Sequence, residues 1–185
     1  WNGYPNPPVL GEENGWVKYQ AYTTQFYTCD PCKKQFQDHI RFIVGRTNQY
    51  SKKAYRNDPA IMSWEIANEP RVFSKKNKTI FESWISETSS LIKSLDKNHL
   101  VTTGSEGEMG SENDMELFTR IHAGSEIDYL TIHIWPKNWS WIKADSIAQT
   151  LESAIMKTDG YIADHALVAR QLNKPLVIEE FGLPR

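Results

Sequence analysis

The chain has little cysteine, no long hydrophobic run and no excess of positive charge. No apolar stretch approaches the roughly 20 residues that a membrane-spanning helix needs, so we expect no membrane span. A net charge of −2 and the lack of a basic run make nucleic acid and anionic membranes poor partners. A hydrophobic content of 39% is ordinary for a globular domain and argues against disorder.

The two cysteines, Cys29 and Cys32, enclose only Asp and Pro. A redox site of this form needs a thioredoxin-like sheet around it, and a zinc site needs about two further ligands. Neither is recognisable, so we predict no metal and no cofactor. A small-loop disulfide formed in an oxidising compartment is the favoured interpretation, and free thiols near a helix start are the alternative. Because the chain begins at Trp1 and not at Met, we expect it to lie inside a longer protein or to follow processing.

Hydrophobic periodicity divides the chain into alternating helices and strands. Residues 1–28, rich in Gly, Pro, Asn and Tyr, are predicted to form a long surface loop instead. Asp30 is the predicted cap of the first helix, and the last helix is predicted to break near Gly160. The predicted helices cover 30–50, 79–95, 113–122 and 146–172, and the predicted strands cover 61–69, 99–104, 128–136 and 176–181.

This strict alternation is typical of an α/β fold with parallel strands and right-handed crossovers. Four strand–helix units are about half of a (β/α)8 TIM barrel, which takes about 250 residues. An open sheet is disfavoured because no glycine-rich phosphate loop follows any strand. The sequence therefore predicts a partial TIM barrel, with residues 1–185 in one catalytic domain and further strands before Trp1 and after Arg185.

Polar side chains follow every predicted strand, and parallel strands end at one edge of a sheet or at the top of a barrel. Glu69 and Glu180 are the central pair, because two facing carboxylates can cleave an acetal by acid catalysis and nucleophilic attack. The residues at these strand ends are Asn68, Glu69, Ser105, Glu106, His133, Trp135, Glu179 and Glu180.

Other side chains near the strand ends suit a sugar ligand. Asn68 can hold a sugar hydroxyl, and His133 can hydrogen-bond a carboxylate or the sugar. Trp139 and Trp141 lie in a polar loop after a strand, where indoles can stack on the apolar faces of pyranose rings.

Several residues have simpler structural interpretations. A lone Glu at a strand end is usually a salt-bridge partner or a helix cap, and Arg71 is more often structural than substrate-binding. Glu65, inside its strand, is predicted to be buried, paired and structural. The residues predicted to be structural or core-filling also include His39, His99, His122 and His165, and Trp16, Trp64 and Trp84.

The segment Trp64-Glu65-Ile66-Ala67-Asn68-Glu69-Pro70-Arg71, together with Glu180-Phe181-Gly182, resembles glycoside hydrolase family 5. The resemblance is strongest to its β-mannanase and β-mannosidase branch, within the clan A retaining glycosidases. His133-Ile134-Trp135-Pro136 is similar to the family's His-x-Tyr-Pro segment, and Gly104-Ser105-Glu106-Gly107 is similar to its post-strand loop. The resemblance runs from about residue 25 to the end.

The resemblance implies a (β/α)8 barrel, retaining hydrolysis of β-1,4-mannosidic linkages through a covalent glycosyl-enzyme, and a mannan or mannooligosaccharide partner. It implies that Glu69 is the acid/base. It also implies that Glu180 is the nucleophile, because the family's nucleophile precedes an aromatic residue and Gly; Glu179 is the competing assignment.

The resemblance also implies sugar-contacting roles for four further residues. Asn68 matches the contact to the 2-hydroxyl, and His133 matches the active-site histidine. Arg71 and Glu106 match positions associated with mannan-binding subsites. Trp135 stands where the family often has a tyrosine that hydrogen-bonds the nucleophile.

Three alternatives to a mannan-active enzyme remain at this point. The first is a β-1,4-glucan-active enzyme of the same family, since mannan is favoured over glucan only by the resemblance. The second is a non-catalytic sugar-binding barrel that needs neither glutamate. The third is an unrelated metal-dependent barrel enzyme. The resemblance further implies a secreted, periplasmic or cell-surface protein.

Overall fold

The computed structural model describes residues 11–183, and within them helices and strands alternate along the chain as predicted. Short 3-10 segments at Thr24–Thr28, Tyr55–Asn57, Lys75–Asn77 and Glu108–Ser111 connect them. The main elements are α1 (Gly15–Thr23), α2 (Asp30–Gly45), β1 (Ser63–Glu65), α3 (Lys78–Leu95), β2 (Leu100–Thr102), α4 (Met115–Ala123), β3 (Leu130–Ile134), α5 (Ile147–Leu172) and β4 (Leu176–Phe181).

The strands pair in parallel, β1 with β2 and β3 with β4. Backbone hydrogen bonds also join the chain around β2 to that around β3. The amide of Asp128 donates to the carbonyl of Val101 over 2.8 Å, and that of His133 donates to Glu106 over 3.2 Å. The strands therefore follow one another in chain order, and their carboxyl ends lie on the same side.

The first strand is shorter than the predicted 61–69. Regular pairing ends at Glu65, although Ile66 and Ala67 still donate to carbonyls of the neighbouring segment. Glu69 has a φ of 46°, in the left-handed region that a strand does not use. Pro70 follows it and has no N–H to give to a ladder. The turn that ends the strand thus sets the direction of the Glu69 side chain.

The helix predicted over 79–95 forms α3, whose bounds differ from the prediction by one residue. Its buried residues recur at helical spacing and face α2 and the sheet. The predicted cap of α2 was wrong by one position, because the Sγ of Cys29, and not Asp30, accepts from the amide of Cys32. Asp30 is the first helical residue, and Cys29 and Cys32 form the favoured disulfide.

The prediction of a surface loop over residues 1–28 was wrong for its second half. Residues 15–28 form α1 and a 3-10 turn, whereas residues 1–10 lie outside the described part of the chain. Tyr27 and Phe26 pack edge-on against Phe81 and Trp84. Because these contacts come from distant α3, the local sequence gave no sign of them. Trp16, predicted to lie in the core, is 47% exposed.

Helix α5 runs without the break predicted near Gly160. A glycine inside a helix costs only about 1 kcal/mol relative to alanine. Buried side chains before and after Gly160 in the sequence outweigh that cost. They are Ala154 before it and Tyr161, His165 and Val168 after it. Among residues 11–183 no helix is both long and apolar enough to cross a bilayer.

Candidate active site

The Glu69 carboxylate lies just past the end of β1, on a turn that Gly104 makes possible. The amide of Glu69 donates to the carbonyl of Gly104 over 2.9 Å. A Cβ at Gly104 would collide with the carbonyl oxygen of Ala67, and Gly104 itself has a φ of 69°. Only glycine fits there without strain, so the close approach of the two segments fixes the position of Glu69.

The Glu180 carboxylate reaches the same place from β4 because that strand contains a bulge. Ile132 pairs with Ile178, but the next residue, His133, pairs with Glu180. Glu179 is therefore an extra residue in β4. Plain alternation would send Glu179 and Glu180 to opposite faces of the sheet, whereas a bulge re-aims them.

His133 lies between these carboxylates, with its side chain 2% exposed. Its Nδ1 donates to Glu69 Oε1 over 2.9 Å and lies 3.4 Å from Glu180 Oε2. Its Nε2 lies 3.6 Å from Glu179 Oε2. One oxygen of Glu69, one of Glu180 and one ring nitrogen of His133 all lie within 4.8 Å of one another. The structure thus brings together the two glutamates that the sequence predicted to face each other.

The charges of this cluster favour a protonated imidazole. Burial alone would lower the pKa of His133, but hydrogen bonds with Glu179 and Glu69 and the charge of Glu180 outweigh it and raise that pKa to about 9. The hydrogen bond from His133 is also the main cause that lowers the pKa of Glu69. At neutral pH an imidazolium therefore faces the Glu69 carboxylate.

Glu65 lies beside the cluster and is more exposed than predicted. Its carboxyl group shares a hydrogen bond with Glu179. Loss of solvent around this group, together with the charge and hydrogen bond of Glu179, raises the pKa of Glu65. Two adjacent carboxyl groups can hydrogen-bond only when one holds a proton. The partner predicted for Glu65 exists, but it is a second acid and it belongs to the site.

Arg71 and Glu106 form a two-pronged ion pair next to Glu69. Arg71 Nε lies 2.6 Å from Glu106 Oε1, and its Nη2 donates to Oε2 over 2.8 Å. Glu106 is fully buried. Burial raises the pKa of Glu106 to about 7, against the opposing charge of Arg71. The Arg71 side chain is still 29% exposed, so Arg71 can contact a ligand.

The remaining predicted site residues take different positions. Trp135 Nε1 donates to Glu180 Oε2 over 3.0 Å, so an indole does bond this carboxylate. Asn68 is exposed beside Glu69. Trp139 and Trp141 pack edge-on, 4.8 Å apart, and both contact Tyr161. They are half-buried rather than freely exposed, so only part of each indole can face a ligand.

The atoms of Glu69, His133 and Glu180 are also those that a cation would use. A metal ligand must be a deprotonated imidazole. Because the carboxylates hold the proton on His133 up to a pH of about 9, a cation would have to displace it. The arrangement suits acid–base and nucleophilic chemistry better.

The sequence profile described as GH family 5 beta-mannosidase-like matches residues 1–185. The chain belongs to this family. The family 5 resemblance seen in the strand-end motifs is thereby confirmed.

Named relatives of this family 5 chain are mannan endo-1,4-beta-mannosidases of plants and fungi. Mannan endo-1,4-beta-mannosidase 1 of Solanum lycopersicum is 34% identical over 170 residues, covering 85% of this chain and 41% of that protein. Mannan endo-1,4-beta-mannosidase F of Aspergillus fumigatus is 32% identical over 195 residues, covering 99% and 38%. The chain thus spans about two fifths of the length of these relatives.

Solved structures of a mannosidase and of a mannanase superpose on nearly the whole chain. The Glycoside Hydrolase Family 5 Mannosidase of Rhizomucor miehei matches with a TM-score of 0.85 at 33% identity, covering 98% of this chain and 42% of that one. The endo-beta-1,4-mannanase of Thermotoga petrophila matches with a TM-score of 0.72 at 29% identity, covering 94% and 40%. The predicted partial TIM barrel is therefore confirmed.

Proposed function

We propose that the protein to which this chain belongs is a retaining glycosidase that cleaves β-1,4-mannosidic linkages in mannan or mannooligosaccharides. The observation that carries the proposal is that one carboxylate oxygen of Glu69 and one of Glu180 lie within 4.8 Å of each other, both near Nδ1 of His133. Retaining enzymes place their two carboxyl groups about 5–5.5 Å apart, whereas inverting enzymes need about 6.5–9.5 Å to admit a water molecule. The short separation supports direct attack by a carboxylate.

In the first step a Glu180 oxygen attacks the anomeric carbon, while Glu69 gives a proton to the leaving oxygen. Trp135 donates to one Glu180 oxygen and so orients the carboxylate. A glycosyl ester on Glu180 results. In the second step Glu69 takes a proton from water, and the water oxygen attacks the same carbon and releases Glu180.

Glu69 must hold a proton for the first step, although His133 lowers its pKa in the free site. His133 can supply this proton, since its Nδ1 donates to Glu69 Oε1 over 2.9 Å. Transfer along that bond as the leaving oxygen gains charge supplies the acid. This use of His133 predicts that activity requires the imidazolium and not the neutral ring.

The pH dependence follows from the raised pKa of His133. We expect kcat/KM to fall as the pH rises through about 9, where His133 loses its proton. Glu179→Gln removes a charge that holds this proton, so the alkaline limb should move down by about one pH unit. The free energy of unfolding should also fall at high pH. The stabilisation by protonated His133 is fully present below pH 6.5 and is lost as the pH rises through about 9.

Steady-state rates and thermal melts between pH 6 and 10 test this prediction. Lys34→Gln, which removes an exposed partner of Asp38 on α2, is a matched charge control that should leave the alkaline limb in place. An unchanged limb in Glu179→Gln would contradict the assignment of the limb to His133.

Mannan is favoured over glucan by the names of the relatives, which are mannan endo-1,4-beta-mannosidases. The Arg71–Glu106 pair, at positions that the resemblance associates with mannan subsites, supports the same choice. The whole protein should therefore cleave mannohexaose much faster than cellohexaose.

Proton NMR of early mannohexaose digests tests stereochemistry and substrate together. Retention predicts that the β-anomer of each new reducing end appears first and then mutarotates. Mannose as the first product would indicate exo action, and internal fragments would indicate endo action. First appearance of the α-anomer, or equal cleavage of cellohexaose, would overturn the corresponding part of the proposal.

A further inference from the structure

Tyr161 of α5 is buried between the two loops that border the site. Its hydroxyl donates to the carbonyl of Glu106 over 2.7 Å and lies 3.4 Å from the amide of Met109, which donates to it. Its ring lies 5.1 Å from Trp139 and 5.8 Å from Trp141. One side chain therefore touches both the loop of the Arg71–Glu106 pair and the loop of the paired tryptophans.

His165, one helical turn later, supports the same contact. Its Nε2 accepts from the amide of Glu108 over 2.9 Å, and its Nδ1 donates to the carbonyl of Tyr161 over 2.7 Å. Burial lowers the pKa of His165, so the ring stays neutral and keeps the lone pair that this acceptor role requires. The loop is thus held at two successive amides and one carbonyl.

Gly107 shows how closely the loop approaches α5. It has a φ of 108°, and a Cβ there would collide with the Tyr161 hydroxyl and lie 2.7 Å from His165 Nε2. The backbone comes so near that no side chain fits between. The Glu106 carbonyl is therefore fixed by direct contact with the helix.

The Glu106 carbonyl also accepts from the amide of His133 over 3.2 Å, and the Glu106 carboxylate binds Arg71. We propose that Tyr161 is a positioning residue that aligns the Arg71–Glu106 pair with the Trp139–Trp141 loop, and so sets affinity for extended mannooligosaccharides. This inference rests on the proposed function. Tyr161 touches no reacting atom, so its effect should fall on KM and not on kcat.

Tyr161→Phe in the whole protein tests the inference, because it keeps the ring packing and removes only the hydroxyl. Loss of one hydrogen bond at the loop is expected to raise KM for mannohexaose about 3–10-fold, with kcat within about twofold of the wild type. Hydrogen exchange at the amides of Glu108 and Met109 should become faster in the same variant.

Tyr129→Phe is the matched control. Tyr129 is also buried and its hydroxyl is bonded, to that of Ser63 over 2.8 Å, at the amino ends of β1 and β3. The charges of Glu179 and Glu65 act on it, but within the described part of the chain it has no hydrogen bond to the loop that holds Glu106. It should lose similar stability without a change in KM or in the exchange of residues 108 and 109. Equal KM effects in both variants, or none in Tyr161→Phe, would overturn the inference. Absence of mannohexaose turnover by the wild type would instead overturn the proposed function, and this inference with it.

Discussion

Glu180→Gln is expected to lower kcat on mannohexaose by a factor on the order of 10⁴ or more, because the glycosyl ester can no longer form. Gln has the same shape and can still accept the hydrogen bond from Trp135. Loss of activity would then reflect chemistry and not collapse of the site. Steady-state kinetics on protein free of wild-type enzyme measures the effect.

Glu179→Gln is the matched control for this experiment, because Glu179 is the neighbouring carboxylate and lies on the opposite ring nitrogen of His133. It should cost less than about tenfold at neutral pH. In Glu180→Ala, azide should restore turnover and yield the α-mannosyl azide, since azide attacks once in place of the carboxylate. A larger loss in Glu179→Gln than in Glu180→Gln would reverse the assignment of the nucleophile.

Glu69→Gln is expected to lower kcat/KM on mannohexaose about 10²–10⁴-fold, the usual worth of a positioned general acid. The effect should depend on the leaving group. With 4-nitrophenyl β-mannoside the leaving phenolate needs no proton, so the first step should stay fast and the second should become limiting. Stopped-flow release of nitrophenol should then show a burst.

Glu65→Gln is the matched control for Glu69, because it removes a carboxyl group four residues away that the mechanism does not use. Glu65→Gln should show no burst, and its rate on mannohexaose should stay within about tenfold of the wild-type rate. Glu69→Ala with azide should yield the β-mannosyl azide. If Glu69→Gln lowered kcat/KM by the same factor on both substrates and also lowered the melting temperature, the result would argue for a structural role of Glu69.

The general architecture was predictable because it depends on local patterns. Helix α3 is visible in the sequence as apolar residues that recur with a period of 3.6. The strand 176–181 is visible as a short apolar run. Once strands and helices alternate, parallel pairing follows from the crossover rule. The meeting of Glu69 and Glu180 follows in turn, because parallel strands end at one edge.

Features that depend on distant contacts were not predictable. The helix over Gly15–Thr23 and the following turn are stabilised by aromatic packing on α3, far along the chain. The role of Tyr161 depends on where α5 meets the loop at Glu106, and a tyrosine in the middle of a helix gives no local signal of this. The raised pKa of Glu65 likewise arises only because Glu179 of β4 lies near it in the fold.

Because of the bulge at Glu179, the geometry of the site depends on the number of residues in β4 as well as on their identity. Deleting Glu179 would keep His133 opposite Glu180 but would remove the bulge that re-aims the Glu180 side chain. Across the family, a gap within this strand is therefore a stronger sign of lost chemistry than a substitution on either side of it, and a redesigned barrel must keep the residue count here even where it changes the residues.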